Sequence, residues 1–347
     1  MRLFLAALLI LSSCSSKKKD KALEKALEES SHSPMDVEVK APVKLLEKFE
    51  VSEVTETKPV SKPAPRKISP SVAPKVVVGK KVEELVKKVT PKKLPTDYPE
   101  EFIELNKKAQ AVWKLYKPNH TIDEKIFLDI NYLGMTIGKI MFTNKGKKMV
   151  NDREVWHFHA RFKSSSFYSN IYELDDTVDT FVATPEFLTM RYSLIQRESK
   201  QSVDDLQLYD REQLKTFSFY KQERPNKKVK NKEKEGFIPF FSIDPFSVAF
   251  FFQGLPLNNG DIYEIPLVNK GKVMILKTVV EGREKVNTDL KDGMNAIRVH
   301  ATTQYSGETL KSGDIYLWFS DDEKKTLIKA QAKIKIGSVT ADLVEIK

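Results

Sequence analysis

The sequence predicts an all-β protein: a large curved antiparallel sheet or open β-barrel with a buried apolar helix, preceded by a disordered Lys/Pro-rich tail and one amphipathic helix. Three observations carry this reading. Beyond Ile126, segment after segment alternates apolar and polar residues, the period of a strand with one covered face. The stretch Phe246 to Phe252 is apolar all round and is bounded by Pro245 and Gly254, so it reads as a helix that must be surrounded. Composition also breaks near Pro99: Lys, Pro, Ser, Val and Glu dominate before it, whereas most Phe and Tyr and all three Trp follow it. The 347 residues therefore divide into a signal segment, 1–13, a linker, 14–98, and a β-rich domain, 99–347, a size that single all-β domains reach.

The start of the chain is a targeting segment. Arg2 is a short positive region and Leu3 to Leu11 an apolar run too short to span a bilayer. Leu11-Ser12-Ser13-Cys14 resembles the lipobox of bacterial lipoproteins, which implies acylation of Cys14 and cleavage before it. Cys14 is the only Cys, so no disulfide forms within the chain. Two or three acyl chains make membrane attachment stable where one is marginal. Ser15 and Ser16 lack the Asp that resembles an inner-membrane retention signal, and the expected location is the outer membrane, facing the periplasm.

The net charge of +10 is uneven. From Lys58 to Lys93 there are eleven Lys or Arg against two Glu, interleaved with Pro59, Pro63, Pro65, Pro70 and Pro74, which favour extended backbone. This is the expected spacer, and its Lys residues make an anionic wall polymer such as peptidoglycan its candidate partner. From Glu101 onward 38 basic residues face 34 acidic ones, which is not the footprint of a nucleic-acid-binding domain.

The domain opens with a helix from about Pro99 to Tyr116, whose Phe102, Leu105, Ala109, Val112, Trp113 and Tyr116 share a face. Strands follow at Ile126 to Leu133 and Thr136 to Thr143, with Gly134 and Gly138 bracketing the turn. In Glu154 to Lys163, Trp156, Phe158, Ala160 and Phe162 take one face and Val155, His157, His159 and Arg161 the other. His157 and His159 thus point the same way, yet no third metal ligand is evident and no metal site is assigned. Further strands are expected at Thr177 to Ala183, Leu188 to Arg197, Asp204 to Tyr209 and Leu214 to Lys221, while Lys-rich Pro225 to Glu235 reads as a loop leaving the sheet. Ser242 or Asp244 can cap the apolar helix, and Gly254 suits a left-handed terminal position. After it, Ile262 to Val268 and Val273 to Val280 form a hairpin around Asn269-Lys270-Gly271. Strands at Ile297 to Tyr305, Ile315 to Phe319, Ile328 to Ile336 and Thr340 to Ile346 complete the sheet.

Tyr132 to Gly138, Asp244-Pro245-Phe246-Ser247, the Gly260-Asp261 turn, Trp318 to Asp322 and the Lys335 to Leu343 ending resemble domain of unknown function 3108, found in exported bacterial proteins. The likeness spans about Ile126 to Glu345 and implies an antiparallel envelope domain with no settled activity.

Catalytic motifs are missing: there is no Gly-x-Ser-x-Gly elbow, phosphate-binding Gly-rich loop, Cys nucleophile or His-Glu-x-x-His. Asp175 with Asp176, and Asp321 with Asp322, are adjacent, so on a strand they point to opposite faces. The expectation is a non-enzymatic protein without a cofactor, held at the membrane by its lipid, that binds an apolar ligand or an envelope protein through Phe246, Phe250 and Phe251. The alternatives are a structural tether gripping peptidoglycan and a metal-dependent enzyme built on the two histidines.

Overall fold

Among the described residues, period-two alternation builds one antiparallel sheet of sixteen strands. The computed structural model describes residues 25–28, 33, 36–54, 94–305, 308–309, 314–334 and 336–347; Cys14, the signal segment and the basic stretch 58–93 lie outside them. A first meander runs through β2 (Lys125–Tyr132), β3 (Met135–Val150), β4 (Arg153–Ser164), β5 (Leu174–Ala183), β6 (Leu188–Glu198), β7 (Gln201–Asp210), β8 (Lys215–Glu223) and β9 (Lys230–Phe237). A second runs through β10 (Ile262–Asn269), β11 (Lys272–Val286), β12 (Met294–Tyr305), β14 (Ile315–Ser320), β15 (Leu327–Lys333) and β16 (Ser338–Ile346), with β13 (Glu308–Thr309) paired to β12. The last strand, β16, pairs with β2, Leu343 opposite Leu128, so the two meanders become one sheet with β9 and β10 as its free edges.

The sheet curls until those edges approach, and the segment between them fills the seam. Ile243 bridges to β10: its N–H reaches the Pro266 carbonyl at 3.1 Å and its carbonyl accepts from Val268 at 2.9 Å. Buried Arg211 donates to the carbonyls of Thr189 (2.6 Å), Phe240 (3.0 Å) and Ser242 (2.9 Å), tying that segment to β6. The result is the open barrel that the alternation predicts.

Two helices stop one end, here the upper, which carries the β3–β4 and β5–β6 turns. The expected amphipathic helix, α2 (Glu100–Leu115), buries Ala109, Val112 and Trp113, and the apolar helix, α4 (Val248–Gln253), lies beneath it. The lower end carries the β2–β3, β10–β11 and β15–β16 turns and a single helical turn, α3 (Ser166–Ser169). Lys270 and Gly271 turn the β10–β11 hairpin at φ of 52° and 69°, as expected of an Asn-Lys-Gly sequence. No helix among the described residues is long and apolar enough to cross a membrane.

Three expectations change. Residues 230–237 are not a loop: β9 pairs with β8 throughout, Gln222 opposite Lys230 and Lys215 opposite Phe237. Gly254 has φ −89°, so it is not left-handed; a side chain there would sit 2.2 Å from Tyr116 Cε2, and only glycine lets that ring approach. Residues 25–28 and 36–54, placed by composition in the solvated linker 14–98, lie packed on the outer face of the sheet. There α1 (Val43–Lys48) leads into β1 (Val51–Glu53), which pairs with β3, and Phe49 is fully buried. Arg191 donates to the Phe49 carbonyl at 3.0 Å and Lys48 pairs with Asp210 at 2.8 Å. Further along this strap, Leu27 packs on Phe127 and Met141, Arg161 donates to the Ala26 carbonyl at 2.9 Å, and Glu28 holds Lys125 and Lys347. Few apolar residues suffice, because β4 to β8 offer an outward apolar face of Val155, Phe181, Leu206, Leu208 and Phe219 for them to cover.

Candidate functional site

At the upper end the aromatics of α4 are enclosed by other side chains. Phe250 stacks on Phe158 with ring centres 4.0 Å apart, and Phe251 meets Trp113 at 4.6 Å, Tyr116 at 5.0 Å and Phe187 at 5.2 Å. The turn into the helix is fixed by Asp244. Its Oδ1 accepts the N–H groups of Phe246 (2.8 Å) and Ser247 (3.0 Å), and its Oδ2 accepts the hydroxyls of Thr180 (2.7 Å), Thr189 (2.8 Å) and Ser247. These bonds satisfy a carboxylate that burial alone would penalise. His120, unremarked in the sequence, sits between the Tyr116 hydroxyl (2.7 Å) and Gln253 (3.1 Å), and burial lowers its pKa to about 4. It is therefore a neutral hydrogen-bonding group at physiological pH.

Below α4 the packing changes. Phe246, stacked on Phe142 at 5.9 Å, is only half-buried, as is Phe162. Both touch the two apolar clusters of the lower half, one around Leu128, Ile140 and Leu343, the other around Val178, Leu194 and Val268. Half-buried Ile130 and Leu317 join the first cluster, whose buried members include the small Ala160, Ala330 and Ala341, and Val273 joins the second. A recess of about 50 Å³ opens among Ile130, Phe162, Tyr168, Leu174 and Val339. At its edge burial pushes Asp176 up to about 8, despite bonds from Gln196 Nε2 (2.8 Å) and the Arg197 N–H (3.1 Å). The lower rim exposes large apolar residues: Leu133 (49%), Phe167 (50%), Ile171 (42%) and Ile336 (67%).

The outer face holds the two histidines. Cross-strand pairing sets Asp179 opposite His159, and Asp179 Oδ1 lies 2.6 Å from His157 Nε2 and 2.8 Å from His159 Nδ1. This is the third potential ligand that the sequence did not reveal, because it comes from the neighbouring strand. The two contacts to Asp179 are of hydrogen-bond length, shorter than the roughly 3.3 Å that separates two ligands of one tetrahedral zinc ion. All three residues are buried, at 5, 0 and 1% exposure, which leaves no open position for a substrate. Hydrogen bonds from the imidazoles hold the Asp179 carboxyl well below its usual range against the opposing effect of burial. The arrangement is that of an internal polar network. Asp175 accepts both arms of Arg161, at 2.8 and 2.7 Å, on this face, while Asp176 faces inward, so the adjacent carboxylates do not meet.

Comparison with solved structures gives chains similar over most of their length at low identity. A β-barrel-like protein of domain of unknown function DUF1849 from Brucella abortus is similar over 66% of this chain and 98% of its own, at 12% identity and a TM-score of 0.42. A candidate lipoprotein from Parabacteroides distasonis covers 67% and 99%, at 10% identity and TM-score 0.32. A candidate exported protein with a YmcC-like fold from Bacteroides fragilis covers 67% and 99%, at 12% identity and TM-score 0.30. No curated protein matches. The family described as proteins of unknown function (DUF3108) matches residues 128–344, more than half of the chain, and the chain belongs to that family.

Proposed function

We propose that this protein is a lipid-anchored component of the bacterial envelope that binds an apolar ligand, a lipid, in the lower half of its open barrel and catalyses no reaction. One observation carries the reading: on the apolar wall below Phe246, Phe246, Phe162 and Ile130 stay half-buried, and a recess of about 50 Å³ opens beside Phe162 near a rim of exposed Leu133, Phe167, Ile171 and Ile336. Apolar surface of that kind marks a site for something apolar. Ligand contact thereby shifts from Phe250 and Phe251, which are core, to Phe246 and Phe162. Acylation of Cys14 would hold the protein at the outer membrane, facing the periplasm. The test is mass spectrometry of an organic extract of the purified protein, with displacement of a fluorescent apolar probe as a second readout. Co-purified lipid that competes with the probe supports the reading; an empty extract with no probe binding sinks it.

A second reading has one feature in its favour. Between the strap and the sheet an outer recess of about 520 Å³ is lined by Pro42, Leu45, Phe217 and Phe219, a surface that an envelope protein could cover. Binding of peptidoglycan by the basic stretch 58–93 is a separate proposal, checked by pull-down with those Lys and Arg replaced by Gln.

A further inference from the structure

β9 has no apolar residue before its last two positions. Its Lys230, Asn231, Lys232, Glu233, Lys234 and Glu235 alternate nonetheless, and pairing with β8 sorts them by charge. Lys230, Lys232 and Lys234 stand beside Gln222, Tyr220 and Ser218, lining a groove of about 340 Å³ on the inward side. Glu233 and Glu235 turn outward, toward the recess beside Pro42. Arg224, from the β8–β9 turn, and Lys270, from the tip of the β10–β11 hairpin, reach the same groove. Lys270 lies 4.3 Å from the Tyr220 ring centre and pairs with buried Asp205 at 2.7 Å. Among the described residues no carboxylate pairs with Lys230, Lys232 or Lys234.

Charge on an edge strand also guards against pairing with other chains. That need is met by either sign on either face, and it does not bring Arg224 and Lys270 from other elements to the same side. Five cations around one groove with a single carboxylate repel one another until an anion enters, and ammonium groups at several angles suit an oxyanion of more than one charge. The hairpin that carries Lys270 also carries Val268 and Val273, which belong to the cluster containing Phe162 and Phe246. Groove and apolar wall are therefore neighbours on one element.

We propose that the groove binds a phosphate-bearing group, carried as the head of a lipid whose apolar part lies against the wall below Phe246. For its tail, this rests on the lipid reading above. The test compares lysophosphatidic acid with monoacylglycerol of the same chain length, and inorganic tripolyphosphate, on the full mature chain. Variants combine Lys230→Gln, Lys232→Gln and Lys234→Gln, or the same positions changed to Arg. The wild type should bind lysophosphatidic acid at least tenfold more tightly than monoacylglycerol, with a preference that shrinks as salt rises, disappears in the Gln variant and survives in the Arg variant. Equal binding of the two lipids overturns the groove and leaves the apolar site standing. Failure of both lipids, with tripolyphosphate bound in a Lys-dependent way, keeps the phosphate groove as a site for a free anion and removes the lipid reading. Tripolyphosphate binding that is absent or indifferent to the Gln variant, with neither lipid bound, overturns both.

Discussion

The two ends of the barrel are built from the same strands, yet one is closed by helices and the other keeps a recess of about 50 Å³ beside half-buried rings. At the upper end Phe250 and Phe251 are packed on Phe158, Trp113 and Tyr116, with α2 closing the outside. At the lower end Phe162 and Phe246 remain half-buried, and the inward positions of the strands include Ala160, Ala330 and Ala341. Strand periodicity alone thus does not determine a filled core. A sheet of this width encloses more volume than its own inward side chains occupy, and filling depends on whether a separate segment is supplied as a plug. Among the described residues the chain supplies one plug, at the upper end.

The sharpest way to break the contrast is Phe251→Ala. A fully enclosed ring leaves a cavity, so urea denaturation should show a loss of about 3 to 5 kcal/mol with no change in apolar-probe affinity. Weaker probe binding in that variant would mean the ligand space extends to the upper end. Phe49→Ala should rank next, at about 3 kcal/mol by the same mechanism, since the strap covers the outer face. A midpoint unchanged from wild type would return residues 36–54 to the status of linker. Phe162→Ala removes a half-buried ring and should cost less, about 1 to 2 kcal/mol, while lowering probe affinity severalfold. A cost as large as that of Phe251→Ala, with probe binding intact, would erase the difference between the ends.

A pH-dependent effect belongs to Asp176 beside the lower recess. Its folded pKa is raised to about 8, chiefly by burial, so between about pH 4 and 8 the folded state keeps a proton that the unfolded chain has lost. Stability should therefore fall as pH rises through that window and level off above it. Asp176→Asn should flatten the slope in thermal melts taken from pH 4.5 to 8.5; an unaltered slope would mean that Asp176 is ionised in the fold.

Much of this was legible in the sequence. The strands with an apolar face announced themselves by alternation, the all-round apolar helix was recognisable as a plug, and His157 with His159 were correctly placed on one face. What escaped depended on partners distant in the chain. β9 alternates Lys with Asn or Glu, so its period carried no burial signal until β8 was beside it. Asp179 joins the histidines only through the β4–β5 register, and His120 is positioned by Tyr116 and Gln253. Val37, Val39, Leu45 and Phe49 are too sparse among Lys and Glu to declare a core segment; the sheet's outward apolar face recruits them. The difference between half-buried Phe246 and buried Phe250 and Phe251 was equally hidden, since all three are Phe on one short stretch.

The docked strap changes how far this molecule can travel from its anchor. Had 14–98 been one spacer, its length would set the reach of the domain. Instead the chain is fastened to the sheet at residues 25–28 and again at Val51 to Glu53, and it rejoins the fold at α2. The residues that flank the basic, Pro-rich stretch, Val51 to Glu53 before it and α2 after it, belong to the same body, so the length of that stretch adds nothing to the leash. With Cys14 acylated, only the residues up to Lys25 separate membrane from protein, which at full extension is roughly 40 Å. An acyl anchor at Cys14 would thus hold the domain within that distance of the surface carrying it, whatever the length of the stretch 58–93.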